Sequence, residues 1–521
     1  MVKLTILLIL LLISILSYVC SYKILVVFPY PGKSHTILGN GYVRHLLKAG
    51  HEVTYITSIP IKNTNKNLRQ IDVSSNIELF TLLENLDLEK QVNKVIDLED
   101  TNSLLSVIRN IANNTLHNKN VRTFIEDPNE NFDAVIVEWL YTELYCGFAT
   151  VFDSPLIWSS SMDPHSMVLS LIDEDPNPAY TSNHISHFDP PFTFTQRLNE
   201  LWTIIDLKIL RWWLYDIDNK IFADGFTTAA AKRGRTLPSL YEAQHSGVLM
   251  LGNSHVSSGK AMRLPQNYKP IAGYHIDDEV RPLPEDLQKI MDDAKQGVIY
   301  FSLGSMVKSK SMPSDMKSNI LKMFSALKQT VIWKFEEVLP NLPKNVHILE
   351  WAPQQSILAH KNCILFITHG GLLSTTEALH FGVPLIGVPI FADQHVNIYR
   401  AVNKGFARHV PLNKDMAEDL KEAIDEILGN PKYKEKVREL SFVHHDRPIS
   451  PGDELVHWVE HVIRTKGAPH LRSPAFDVPF YQKCYLDLAA LVLAILIAIK
   501  IIIVKLVRLL FKKPGLKKKI N

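Results

Sequence analysis

The sequence predicts an α/β protein with two doubly wound domains in tandem and a C-terminal helix that crosses a membrane. Three observations carry this. Short apolar runs rich in β-forming residues alternate with longer amphipathic stretches in both halves of the chain, as in parallel sheets covered by helices. Turn-forming Pro, Gly, Ser and His follow several of these runs, where strands deliver the chain to a cleft. Long apolar stretches lie outside this alternation, at the two ends of the 521 residues.

A chain of this length holds two domains with large cores. Its net charge of +2 provides no strongly basic surface for nucleic acid. Residues 1–21 place one Lys before an apolar core and end in the small residues Ser17, Cys20 and Ser21, the pattern of a secretory signal. At the other end, 488–510 is apolar apart from Lys500, Lys505 and Arg508, and a span needs about 20 residues. Lys500 reaches the interface by snorkelling. The tail 511–521 carries Lys512, Lys513, Lys517, Lys518 and Lys519 and no acid, a positive-inside flank. The chain therefore reads as a single-pass type I membrane protein with its body in the lumen. Asn113-Asn114-Thr115 is a glycosylation acceptor there, at Asn113. Cys146 and Cys363 lie in apolar surroundings and read as buried free thiols.

The mature chain opens with a strand at Tyr22–Phe28, a loop, a helix through Leu47 and a second strand at Glu52–Thr57, a βαβ start. Gly39-x-Gly41 falls too far past the strand for a dinucleotide fingerprint. His35 stands just beyond the carboxyl end of the first strand. Phe132–Val137 is another buried strand, ending at Glu138 and Trp139. Pro155–Ser161 is a further strand and loop. Residues 188–223 are aromatic-rich, with Trp202, Trp212, Trp213 and Tyr215; this stripe reads as core, as the wall of an apolar pocket or as a bilayer contact, and sequence does not rank the three. Asp216-Ile217-Asp218 within it forms a DxD string, but a helical aromatic run is the wrong setting for a metal site, and no metal is expected.

The segment 22–272 forms the N-terminal domain, 273–284 a linker, 285–465 the C-terminal domain and 466–487 a juxtamembrane segment. Gly297–Leu303 opens the second domain with a strand, followed by Gly304 and Ser305; Thr330–Phe335 and His347–Trp351 are two more. The stretch Phe366–Arg400 organises the whole. Cys363–Thr368 is a buried strand, His369-Gly370-Gly371 a turn where backbone can approach a ligand, and Ser374, Thr375 and Thr376 cap the next helix with Glu377 in its first turn. Free N–H groups and the helix dipole make such a turn an anion site. Val383–Val388 is the following strand, with Asp393 and Gln394 past its end. Three closing helices follow, at Leu420–Leu428, Lys434–Leu440 and Gly452–Ile463.

This stretch resembles the signature of the UDP-glycosyltransferases, through Trp351, Pro353, Gln354, His369, Gly370, Gly371, Ser374, Glu377, Gly382, Pro384, Pro389, Asp393, Gln394 and Asn397. The resemblance implies two Rossmann-like domains in the GT-B arrangement, the N-terminal one binding the acceptor and the C-terminal one a UDP-sugar co-substrate, with no other cofactor. It implies that the last helix crosses back to the N-terminal domain. It implies His35 as general base with Glu138 as its partner, at a position where relatives usually carry Asp. Ser302, Gly304 and Ser305 would lie beside the diphosphate, as would His369, Gly370, Gly371 and Ser374. Trp351 would stack on uracil, Gln354 lie beside base and ribose, Glu377 hold ribose hydroxyls, and Asp393 and Gln394 hold the sugar. Leu373 stands where many relatives have Asn. The expected reaction inverts the anomeric centre, with glucose preferred over glucuronate because the wording of the stretch resembles invertebrate members. The acceptor is a small lipophilic alcohol or phenol, and a homo-oligomer is compatible with the sequence. The terminal KKIN resembles a dilysine retrieval signal, placing the protein in the endoplasmic reticulum. A non-catalytic lipophile-binding relative is the alternative, kept open by Glu138 and Leu373.

Overall fold

The computed structural model describes residues 21–511, apart from 63–64, 80–87, 93–100, 185, 187 and 307. The signal segment to residue 20 and the basic tail from residue 512, with Lys518 and Lys519, lie outside the described residues.

Two parallel sheets form the body. The first contains β1 (Lys23–Phe28), β2 (Glu52–Thr57), β3 (Leu68–Asp72), β4 (Ala134–Trp139), β5 (Leu156–Ser160), β6 (Leu249–Gly252) and β7 (Tyr268–Pro270), in the order β3-β2-β1-β4-β5-β6-β7. The second contains β8 (Val298–Ser302), β9 (Thr330–Lys334), β10 (Val346–Leu349), β11 (Cys363–Thr368), β12 (Leu385–Gly387) and β13 (Ala407–His409), in the order β10-β9-β8-β11-β12-β13. Both orders follow the Rossmann pattern, in which the winding reverses beside the first strand.

Alternation within a strand builds the cores. Leu25 and Val27 of β1 join one apolar cluster, while Ile24, Val26 and Phe28 join another. Ile299 and Phe301 of β8 are likewise separated from Val298 and Tyr300. Each central strand is covered on both faces, which is why it reads as an unbroken apolar run. Sequence reading did not anticipate β3, β6, β7 and β13; β6 is a strand of only four residues between β5 and β7, while β3, β7 and β13 lie at sheet edges. An edge strand has one neighbour and tolerates the polar residues of Leu68–Asp72 or the Pro270 that closes β7.

The helices that position the site are α1 (Lys33–Lys48), α2 (Thr101–His117), α3 (Phe194–Ala231), α4 (Leu240–Gln244), α5 (Gln354–Ala359), α6 (Leu372–Phe381), α7 (Gln394–Asn403) and α8 (Pro451–Arg464). Ser450 caps α8, accepting from Asp453 N–H at 3.1 Å. Leu455, Val459 and Val462 of α8 pack with Leu38, Tyr42 and Leu46 of α1, so this last helix of the body does return to the first sheet. The 273–284 stretch is docked along α1. Arg44 donates to the carbonyls of Tyr274 at 2.8 Å and Ile276 at 2.9 Å and pairs with Asp277 at 2.5 Å.

Residues from Ser473 onward form a second unit, carrying α9 (Leu486–Leu510). Its 25 residues include an 18-residue window of mean hydropathy 2.9 and meet the length and composition of a membrane span. Cys146 and Cys363 are buried and free.

Candidate active site

The first sheet reverses between β1 and β4, and the carboxyl ends of these two strands supply the first pair of residues. His35 lies in the opening turn of α1, three residues after Gly32 at the N-cap. Glu138 is the penultimate residue of β4, inside the strand rather than on the loop beyond it, and is 2% exposed. His35 Nδ1 and Glu138 Oε1 are 2.5 Å apart. A carboxylate can only accept, so Nδ1 carries the proton and Nε2 is the nitrogen left for a substrate. The edge of Tyr30 packs on the imidazole at 4.7 Å. Burial, reinforced by the charge of Glu138, raises the pKa of the Tyr30 hydroxyl, which stays protonated.

The second sheet reverses between β8 and β11, and the same rule puts Ser302 and His369 there. Gly304 and Gly371 close around the His369 ring. A Cβ on Gly304 would lie 2.7 Å from His369 Cε1, and one on Gly371 2.7 Å from Nε2. Gly370 has φ +84°, and a Cβ there would strike Ile398 at 2.4 Å. These glycines therefore make room for the protein's own side chains as well as offering backbone to a ligand. Burial, aided by Lys334, lowers the His369 pKa to about 4, so the ring is neutral and acts near pH 7 as a hydrogen-bonding group rather than a charge.

Helix α6 starts earlier than expected. Gly371 is its N-cap with no side-chain bond, Ser374 sits in the first turn and Glu377 in the second. Thr375 and Thr376 are not caps: their hydroxyls donate back to the carbonyls of Gly371 at 3.0 Å and Leu372 at 2.8 Å. The positive φ of Gly370 turns the chain into the helix at once, leaving the hydroxyls inside it.

Glu377 is held by amides. Gln354 Nε2 donates to it at 2.6 Å and to Ser374 Oγ at 3.2 Å, and Gln355 Nε2 donates at 3.1 Å. His275, fully buried, approaches the same carboxylate at 3.5 Å. Trp351 is 54% exposed just after β10. Asn397 Nδ2 bonds both the Asp393 carboxylate, at 2.8 Å, and the Gly370 carbonyl, at 3.0 Å, tying the start of α7 to the His-Gly-Gly turn. Gln394 uses its carbonyl oxygen to accept from the backbone of Ile390 at 2.8 Å and Phe391 at 3.2 Å. Burial raises the Asp393 pKa, against the bond from Asn397, and the neighbouring charge of Asp163 raises it further.

Between the sheets, Asp163 pairs with Arg400, both largely buried. They line a small cavity with His165, His184, Asp393 and Asn397. Burial holds the His184 pKa at about 4. Sequence reading passed over Asp163, His275 and Arg400. The signal for Asp163 was its place just past β5, the strand end where ligands bind in open α/β sheets. Tyr141 and Ala392 border this region with φ of 53° and 54°, a left-handed backbone costing roughly 1–2 kcal/mol for a residue with a Cβ. Leu373 packs against the core of the first sheet, so it serves contact between the two sheets.

Asp216 and Asp218 are not brought here. Asp218 pairs with Arg109 of α2 at 2.5 Å, beside a cavity of about 210 Å³ lined by Leu105, Tyr141, Leu207, Trp212 and Tyr241. Asn113 is exposed on α2, whereas Thr115 is buried and donates to Ile111 O at 2.8 Å. Among the described residues no group of three or more His, Cys, Asp or Glu is placed to hold a metal.

Comparison with known proteins identifies the family and the fold. The family model described as "UDP-glucoronosyl and UDP-glucosyl transferase" matches residues 23–520. UDP-glycosyltransferase UGT5 of Dactylopius coccus is 34% identical over 94% of this chain and 92% of its own length. UDP-glucosyltransferase 2 of the same insect is 32% identical over 90% of each. Among solved structures, the calicheamicin glycosyltransferase CalG4 superposes with a TM-score of 0.55 at 17% identity, covering 86% of this chain and all of that one. Two Rossmann-like sheets with reversal points supplying His35, Glu138, Ser302 and His369, and a family match over nearly the whole chain, lead to one conclusion: this chain belongs to the UDP-glycosyltransferase family and has the GT-B fold.

Proposed function

We propose that the protein transfers glucose from UDP-glucose to a hydroxyl of a small lipophilic acceptor, with inversion at the anomeric carbon. The contact of 2.5 Å between His35 and Glu138 carries this reading. Glu138 holds the imidazole with Nε2 available, His35 takes the acceptor proton as oxygen attacks the anomeric carbon, and Glu138 stabilises the imidazolium that forms. The extra methylene of Glu over Asp is accommodated, which argues against a non-catalytic relative. UDP leaves toward the His369-Gly370-Gly371 turn, where backbone N–H groups, Ser374 and the start of α6 receive the diphosphate beside Ser302, Gly304 and Ser305. Glu377 and Gln354 take the ribose and base edge, Trp351 the uracil face, and Asp393 with Gln394 the sugar hydroxyls. That the Dactylopius coccus relative is a UDP-glucosyltransferase supports glucose.

The acceptor space is the cavity of about 210 Å³ whose Tyr141 wall packs with Tyr30, the ring lying on His35. Its lining is mostly apolar and aromatic, with the paired charges of Arg109–Asp218 and Arg211–Glu143 in the wall, which suits an alcohol or phenol. The α9 anchor, the basic tail and Lys518 with Lys519 support a type I protein of the endoplasmic reticulum with its body in the lumen, where Asn113 is a glycosylation acceptor. The test is to supply purified full-length protein with α-linked UDP-glucose, UDP-glucuronate and a phenol panel, then read the product by NMR. A β-glucoside is expected. An α-product excludes inversion, and transfer from UDP-glucuronate alone excludes the proposed donor.

A further inference from the structure

We infer that His275 is a positioning residue of the donor site: it aims the Glu377 carboxylate at the ribose and ties that carboxylate to α1, the helix whose first turn carries His35. The inference rests on the reading of Glu377 as the ribose holder, and adds to it a residue and a route. His275 follows β7 and its side chain is fully buried. Its Nε2 stands 3.5 Å from Glu377 Oε1, and among the described residues neither ring nitrogen meets a hydrogen-bond partner. An imidazole carries at least one N–H, and burying that N–H without an acceptor is costly. The Glu377 carboxylate is the acceptor facing it, so the proton belongs on Nε2. The contact closes to a charge-assisted hydrogen bond as the site tightens around a nucleotide.

A second path runs beside the first. Gln355 Nε2 donates to Glu377 Oε1 at 3.1 Å, and Gln355 Oε1 accepts the N–H of Asp277 at 3.1 Å. His275 and Asp277 thus reach one carboxylate oxygen, directly and through an amide, while Gln354 holds the other at 2.6 Å. With both oxygens engaged the plane of the carboxylate is set, and the lone pairs left over are those a ribose can use. The segment is in turn fixed on α1. Arg44 donates to the carbonyls of Tyr274 and Ile276, on either side of His275, and pairs with Asp277. His45 Nε2 donates to the Tyr274 carbonyl at 2.8 Å. Gly41 lets the Tyr274 ring lie against the helix, since a Cβ there would stand 2.9 Å from that ring, and Tyr42 meets the ring edge-on at 4.9 Å. His35 and Arg44 belong to the same 16-residue helix. The base that serves the acceptor and the carboxylate that serves the donor are therefore seated by one rigid element.

Ribose recognition itself supplies the test. Full-length protein is titrated calorimetrically with UDP and with its two monodeoxy-ribose analogues, each lacking one ribose hydroxyl. The readout is the ratio of affinities: damage to packing weakens all three nucleotides alike, whereas a misaimed carboxylate narrows the gap between them. In His275→Leu, which keeps much of the volume and removes the donor, the preference for UDP over the analogue that wild type rejects more is expected to fall by about three- to tenfold, the worth of one hydrogen bond. His275→Gln restores a side-chain N–H and is expected to regain most of that preference. Arg44→Met, outside the donor site, loosens the segment and is expected to lower the same ratio by about twofold; it decides the matter if His275→Leu does not fold. Wild-type preference kept in His275→Leu overturns the proposal and leaves Glu377 as the ribose holder. Loss in His275→Leu with none in Arg44→Met keeps the positioning role and overturns the tie to α1. A wild type that binds all three nucleotides equally overturns the reading of Glu377, and the proposal with it.

Discussion

Lys33 of α1 covers one face of Trp351, its ammonium 4.0 Å from the indole centroid, so a residue that follows the first strand occupies the ring proposed to stack on uracil. An exposed cation–π contact is worth about 0.5–1 kcal/mol, which a nucleotide taking that face must displace. Lys33→Ala is expected to tighten UDP binding by about two- to fivefold. Trp351→Ala is expected to weaken it by the ~1–3 kcal/mol of a base–aromatic stack. Titration calorimetry with UDP measures both; unchanged affinity in the Trp351 variant places the base elsewhere.

The His35–Glu138 pair separates binding from chemistry. His35→Ala should reduce turnover by about 10²–10⁴, the contribution of a general base, with UDP affinity retained. Glu138→Gln keeps the shape but offers either an oxygen or an amide to Nδ1 and cannot stabilise the imidazolium, so a smaller loss in kcat is expected. Initial rates over a range of acceptor concentrations check this, and a Glu138→Gln enzyme with full kcat removes the carboxylate from the mechanism.

Gly371→Ala tests the nest around His369. The new methyl would lie 2.7 Å from Nε2 and force the ring out of place. Affinity for UDP should fall while acceptor KM changes little. Equal UDP affinity in wild type and variant would show that His369 does not face the diphosphate.

Stability should fall on mild acidification. Burial, with Arg447 nearby, lowers His255 to about 4 and His444 to about 2; burial with His445 lowers His380 to about 4. These histidines are neutral when folded and take up protons near 6.5 when unfolded. Between about pH 4 and 6.5 the unfolded chain binds more protons, so stability is highest above this window and is lost as pH drops through it. Tm is expected to decrease from pH 7.5 to 5.5, and less steeply in His444→Gln. A flat profile would show that the cluster is not buried in solution.

Turnover should survive EDTA. The diphosphate is proposed to rest on backbone N–H groups and a helix start, which bind it directly. Asp218, the one DxD carboxylate in a tight ion pair, is engaged by Arg109. Asp216→Asn is expected to keep wild-type rates. Loss of activity in EDTA that Mn²⁺ restores would reject this arrangement of charge.

Much of the site was legible because strand ends are. A buried parallel strand is an apolar run with few alternatives, so β1, β2, β4, β8 and β11 could be placed within two residues, and His35, Glu138, Ser302 and His369 follow from their ends. The start of α6 was misread because Ser374 and the two threonines are good caps in isolation. The backbone of Gly370 had already entered the helix.

By itself the sequence determined the α/β class, the C-terminal apolar helix, the family and the identity of the residues around the cleft, since these depend on local periodicity and on residue types at turns. Only the tertiary structure decided what those residues touch. Glu138 meets His35 across 103 positions, Asp163 meets Arg400 across 237, and Leu373 joins the core of the other sheet. It also decided that His369 is neutral and that the aromatic stripe of α3 faces outward. Each of these turns on burial and on partners far away in the chain, and neither periodicity nor spacing carries that information.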